Sequence, residues 1–199
     1  MLQPPALPAD RRADILDAAI PVFGRFGFRK TSVEELAAAA GLSKQGLYLH
    51  FSGKEALFQA AMRKYMEDGL TRVRQALAGP ASAPLYPRLL AAMDAWFGQH
   101  IVTFAPDSFD VIDAGNRLQG AVVAEYKSAF QKALTEAIAG SAEFRRGRHA
   151  CSAAETAQVL FICGLSWKEA GQSREAFQRA AALCIRACCN MAATAAIAE

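Results

Sequence analysis

Residues 31–57 read TSVEELAAAAGLSKQGLYLHFSGKEAL. Ser32 and Glu35 stand three apart, the spacing of a capping box, in which hydroxyl and carboxylate each satisfy a backbone amide at a helix start. Val33, Leu36, Ala37 and Ala40 then recur on one helical face. Gly41 ends that helix, and Ser43 suits the N-cap of a second, running from Lys44 to about His50. Ser52 and Glu55 repeat the box and open a third, from about Gly53 to Leu77. Two short helices about a glycine turn, with a third following at once, form the layout of a helix-turn-helix, whose second helix enters the DNA major groove.

The second helix divides into two faces. Leu47 and Phe51, four apart, point inward to Val33, Leu36 and Leu42. Ser43, Lys44, Gln45, Tyr48 and His50 are left for a groove. Gln45 has the geometry for an adenine edge, and Lys44 for guanine or phosphate. Tyr48 offers a hydroxyl to phosphate, and Thr31 and Lys54 stand at helix starts, where phosphate oxygens are favoured. Arg29 and Lys30 add charge, and Arg11 and Arg12 are placed to touch the DNA backbone from an N-terminal arm. Any one of these residues alone is an ordinary solvated side chain. Their register with the turn and caps is what favours a reading face. Gly46 and Leu49 run against it: glycine costs about 1 kcal/mol of helix propensity and offers no contact, and Leu49 can offer only apolar contact to a thymine methyl.

Outward from this stretch the sequence keeps a helical period. Ile15, Ala19, Val22, Phe23 and Phe26 make one apolar face of a helix from Asp10 to Phe26, with a bend expected at Pro21. Gly27 suits a left-handed cap that brings Phe28 to Phe23. Residues 78–84 read as a linker. Helices are expected over Leu85–His100, Ser108–Ala114, Arg117–Ala139, Ala153–Lys168 and Arg174–Ala198, with a loop from Gly140 to Ala150. Ser152 and Glu155 make a further capping box. The fold class is all-α.

Composition narrows the function. The chain has 199 residues, 53% of them apolar, and a formal charge of +3. Residues 1–78 hold 11 Lys/Arg against 8 Asp/Glu, whereas 79–199 hold 11 of each, so the basic excess lies with the helix-turn-helix. Ala180–Ala198 is long enough to span a bilayer, but Arg186 inside it costs roughly 2.5–3.5 kcal/mol there, and no membrane association is expected. No secretory leader is apparent, so a reducing cytoplasm is expected for Cys151, Cys163, Cys184, Cys188 and Cys189. They read first as small apolar residues and second as a thiol sensor. No metal-ligand spacing, phosphate-binding glycine loop or nucleophile motif is present; no metal, cofactor or enzymatic activity is expected.

From Arg12 to Ala61 the sequence resembles the TetR family of transcriptional regulators. The carrying residues are the Ile15/Ala19/Phe23 face, Phe26-Gly27-Phe28, Thr31, Val33, Leu36, Ala37, Ala40-Gly41, Ser43-Lys44, Leu47-Tyr48, Phe51 and Lys54-Glu55-Ala56-Leu57. The resemblance implies a flexible arm over 1–9, a DNA-binding domain over 10–54 and a ligand-binding and dimerisation domain over 55–199. It implies a homodimer on double-stranded DNA, most often a repressor released by a small molecule. By analogy Thr31, Lys44, Tyr48, His50 and Lys54 contact the DNA backbone, and Gln45 reads a base. The last two helices would form the dimer interface. Phe177, Ala181, Cys184, Cys188 and Met191 make one stripe there, with Phe161 and Leu165 before them. Ala176, Ala180, Leu183 and Ala187 make another. Residue type points to Trp96, His100, Phe104, Arg117 and Tyr126 for the effector pocket. A cysteine redox regulator, or a small-molecule-binding protein with a vestigial head, are the alternatives.

Overall fold

The computed structural model describes residues 8–104, 109–147, 149–169 and 173–189. All regular elements among them are helical: α1 Pro8–Lys30, α2 Val33–Ala39, α3 Lys44–Tyr48, α4 Lys54–Leu77, α5 Leu85–Met93, a π-helical turn Asp94–Gly98, α6 Gln99–Thr103, α7 Phe109–Gly140, α8 Ala142–Arg146, α9 Ala153–Glu169 and α10 Arg174–Cys189. No described helix is long and apolar enough to cross a membrane. Residues 1–7 of the expected arm, and the stretch of α10 expected beyond Cys189, Met191 included, lie outside the described residues, whereas Pro8 and Ala9, expected in the arm, begin α1.

By internal contacts the chain forms two compact units, one of residues up to 68 with 103–124, the other of 69–102 with residues from 125 on. The first unit therefore takes residues 55–68 in with the head, where a boundary was expected after Lys54. The reason is apolar packing: Leu57, Phe58 and Ala61 on α4 are buried in the same core as Ile15, Phe23, Leu36, Leu47 and Phe51. Phe58 meets Phe23 edge-on with ring centroids 5.1 Å apart and Phe28 at 4.8 Å. Gly27 adopts φ 82°, ψ 172°, so the expected turn forms, but in the extended positive-φ region rather than the left-handed helical one. It brings Phe28 within 6.3 Å of Phe23.

In the second unit the core is built from Leu85, Leu89, Met93, Phe97, Phe130, Leu134, Ile138, Leu160, Phe177 and Ile185, all buried. The helix expected over Leu85–His100 is interrupted by the π turn at Asp94–Gly98. Arg174 grips Asp94 with two hydrogen bonds, Nε to Oδ1 at 2.9 Å and Nη2 to Oδ2 at 2.5 Å, and Gln178 adds a third at 3.1 Å. A Cβ on Gly98 would lie 2.1 Å from Asp94 Oδ1, so the widened turn needs the glycine. The break expected between Ala114 and Arg117 falls instead at Gln119 (φ −146°, ψ 29°), whose side-chain amide donates to Gln59 O at 2.8 Å. The loop expected over 140–150 contains α8, capped by Ser141 Oγ accepting from Phe144 N at 3.3 Å. The Ser152–Glu155 box forms as the spacing implied, with Ser152 N donating to the carboxylate at 2.8 Å.

Candidate nucleic-acid interface

The head is assembled by local rules. Ser32 Oγ accepts from Glu35 N at 3.2 Å and Ser32 N donates to Glu35 Oε2 at 2.8 Å, which fixes the start of α2 and holds the Glu35 carboxyl below its usual range. Gly41 takes φ 65° and turns the chain. Ser43 Oγ accepts from Gly46 N at 3.0 Å and starts α3. Leu47 and Phe51 are buried, as their spacing required. α3 ends at Tyr48, so His50, expected as its last residue, sits in the following turn, where its carbonyl accepts from Arg12.

Ser43, Lys44, Gln45, Tyr48 and Leu49 are exposed on α3 and its ends. Leu49 is 86% exposed, the largest value among the exposed large apolar residues of the described chain. Lys44 Nζ lies 2.6 Å from Glu34 Oε1 across the turn. That hydrogen bond and the charge beside it push the Lys44 ammonium up and the Glu34 carboxyl down.

Two expected phosphate ligands have other work. Thr31 is 1% exposed and its hydroxyl donates to Gly27 O at 2.5 Å, closing the turn after α1; its side chain is part of the scaffold. Lys54 Nζ donates to Thr31 O at 3.0 Å and Arg29 O at 3.3 Å, and stands 4.8 Å from the centre of the Phe28 ring. Two clasps were not anticipated. Arg11 Nη2 donates to Ala40 O at 3.1 Å, capping the end of α2, and Arg12 Nη1 donates to His50 O at 2.9 Å while its guanidinium lies over the Phe51 ring at 4.3 Å. The available signal was a pair of cations followed by two helices whose last carbonyls needed donors.

The family of bacterial regulatory proteins called tetR matches residues 15–61, which cover this assembly from the core of α1 into α4. Over these residues the chain is similar to the TetR family. Over 92 residues it is 39% identical to the HTH-type transcriptional activator FasR of Mycolicibacterium smegmatis, spanning 46% of this chain and 41% of that one. Over 68 residues it is 35% identical to the HTH-type transcriptional repressor KstR2 of Rhodococcus jostii, spanning 34% and 33%. The chain thus covers less than half the length of either relative. A TetR-family transcriptional regulator from Streptomyces coelicolor superposes with a TM-score of 0.68 over 92% of this chain and 95% of its own, at 17% identity, which shows a shared fold.

Beyond the head, the expected pocket residues fall into different surroundings. Trp96 stacks on Phe130 with centroids 4.9 Å apart and planes within 8°, in the core of the second unit. His100 and Tyr126 belong to that unit too and are half-buried. Phe104 packs edge-on against Tyr65 at 5.2 Å in the first unit. Arg117 lines an open cleft of about 490 Å³, together with Ala56, Gln59, Ala60, Arg63 and Leu118 of the same unit.

The expected dimer residues divide similarly. Phe161, Phe177 and Ala181 are buried in the second unit's own core, and Leu165, Cys184 and Cys188 are half-buried. The large apolar side chains turned to solvent on α9 and α10, among the described residues, are Val159, Ile162 and Leu183, with exposures of 37%, 53% and 64%. All five cysteines are free thiols, and Cys189 alone is fully buried. Cys184 and Cys188 have sulfurs 3.9 Å apart. Burial raises the Cys184, Cys188 and Cys189 thiols, Cys189 to about 12, which keeps them protonated and weakly nucleophilic near neutral pH. Among the described residues no group of three or more His, Cys, Asp or Glu is placed to hold a metal ion.

Proposed function

We propose that the chain is a DNA-binding transcriptional regulator that acts in the cytoplasm as a homodimer on a near-palindromic operator. The carrying observation is the solvent-facing surface of α3, Lys44, Gln45, Tyr48 and Leu49, on a head whose caps and turns belong to the matched segment 15–61. Lys44 and Tyr48 suit phosphate, Gln45 an adenine edge and Leu49 a thymine methyl. Dimerisation is supported by the exposed apolar face of Val159, Ile162 and Leu183. Repression is the proposed mode, because occluding a promoter needs only the DNA contact, whereas activation also needs a surface for the transcription machinery. The cleft beside Arg63 and Arg117 shares a compact unit with the head, which supports release by a small molecule bound there.

The test is selection of genomic fragments by the purified protein, followed by affinity measurements across salt. A specific duplex should be held at least 10³-fold more tightly than a scrambled one, with affinity falling steeply as salt rises. Equal affinity for both, or a flat salt response, would sink sequence-specific recognition. The raised thiols argue against the redox alternative.

A further inference from the structure

The ion pair on the reading face has a consequence for DNA affinity. Lys44 is the first residue of α3, at the positive end of the helix, where a cation is disfavoured unless an anion faces it. The anion in this structure is Glu34, in the first turn of α2, with its carboxylate 2.6 Å from the ammonium. The neighbouring Glu35 is taken by the Ser32 capping box, so the two adjacent carboxylates have separate partners. Both members of the pair are open to solvent, with side-chain exposures of 50% and 63%, so neither is needed by the core. We propose that Glu34 is an affinity-setting residue that competes with DNA phosphate for Lys44, holding the lysine in the free protein and weakening its hold on any duplex.

This rests on the DNA-binding role given to α3. A phosphate oxygen that takes Lys44 must displace a carboxylate already at charge-assisted hydrogen-bond distance. The cost falls on all sequences alike, because phosphate contacts carry no base information. Glu34 therefore sets how tightly the head holds DNA without altering which bases it prefers. An exposed ion pair limits the effect to about two- to fivefold.

A double-mutant cycle on the full chain separates this competition from plain repulsion between Glu34 and DNA. The probes are a genomic duplex retained by the wild-type protein and a scrambled duplex of equal length. Glu34→Gln should raise affinity for both by about two- to fivefold, and should give no gain in a Lys44→Ala background. An equal gain with and without Lys44, or no gain at all, overturns the competition. A gain confined to the selected duplex overturns it too, and makes Glu34 a base reader. Circular dichroism on each variant confirms that the helices are retained. A wild-type protein that binds neither duplex overturns the DNA-binding role itself; one that binds without the cycle's coupling removes Glu34's role only.

Discussion

Thr31 and Lys44 show how residue type and residue role part company. Both suit phosphate contact by chemistry and position. Thr31 is instead buried with its hydroxyl on Gly27 O, while Lys44 faces solvent and Glu34. The difference lies in their partners: Thr31, in the turn after α1, finds a carbonyl four residues back, and Lys44 a carboxylate on the surface of α2. Gly46 is the reverse case. It costs helix propensity, yet a Cβ there would meet Ser43 Oγ at 3.4 Å and Leu42 Cδ2 at 3.6 Å, a snug fit without overlap into backbone. Gly46→Ala should accordingly stabilise the first unit by about 0.5–1 kcal/mol, seen as a higher denaturation midpoint by circular dichroism. A lower midpoint would mean that the Ser43 cap cannot accommodate the methyl group.

At the scale of elements, legibility followed sequence distance. The boxes at Ser32–Glu35 and Ser152–Glu155 and the cap at Ser43 were readable because donor and acceptor lie three residues apart. The π turn was not: Asp94, its first residue, is held by Arg174, 80 residues away. Nor was the break at Gln119, which answers to Gln59, 60 residues earlier. Burial alone would raise the Asp94 carboxyl; the hydrogen bonds from Arg174 and Gln178 and the guanidinium charge outweigh it and hold Asp94 below the usual carboxylate value. A folded-state value that is depressed contributes stability above the unfolded value, and that contribution is lost as pH falls through the folded one. Asp94→Asn should thus cost about 1–2 kcal/mol at neutral pH, discounted from a fully buried pair because the guanidinium is about a third exposed. The gap between wild type and variant should close as pH drops below about 4. Denaturant unfolding at several pH values reads this directly, and a pH-independent gap would show that the pair acts through shape rather than charge.

At the scale of the whole molecule, α10 carries two apolar stripes, and the period of 3.6 residues fits both equally well. Packing decided between them: Phe177 and Ala181 went to the core, and Leu183 stayed outside with Ile162 and Val159 of α9. If this face joins two copies, Leu183→Glu should place a charge in the joint and cost about 3 kcal/mol or more, roughly a hundredfold in dimer affinity. Sedimentation should then show a monomer with its helix content intact. An unchanged oligomer would move the interface elsewhere.

The sequence alone determined the helical class and the capped helix-turn-helix, because capping, turn formation and amphipathic period depend on neighbours within about one or two helical turns. Only the tertiary structure decided which polar groups of the head serve the scaffold, that Lys44 faces Glu34, where the middle helices break, and which stripe of α10 is buried. Thr31 apart, whose partner Gly27 is four residues away, those choices rest on partners from 10 to 80 residues away, whose positions no local pattern records.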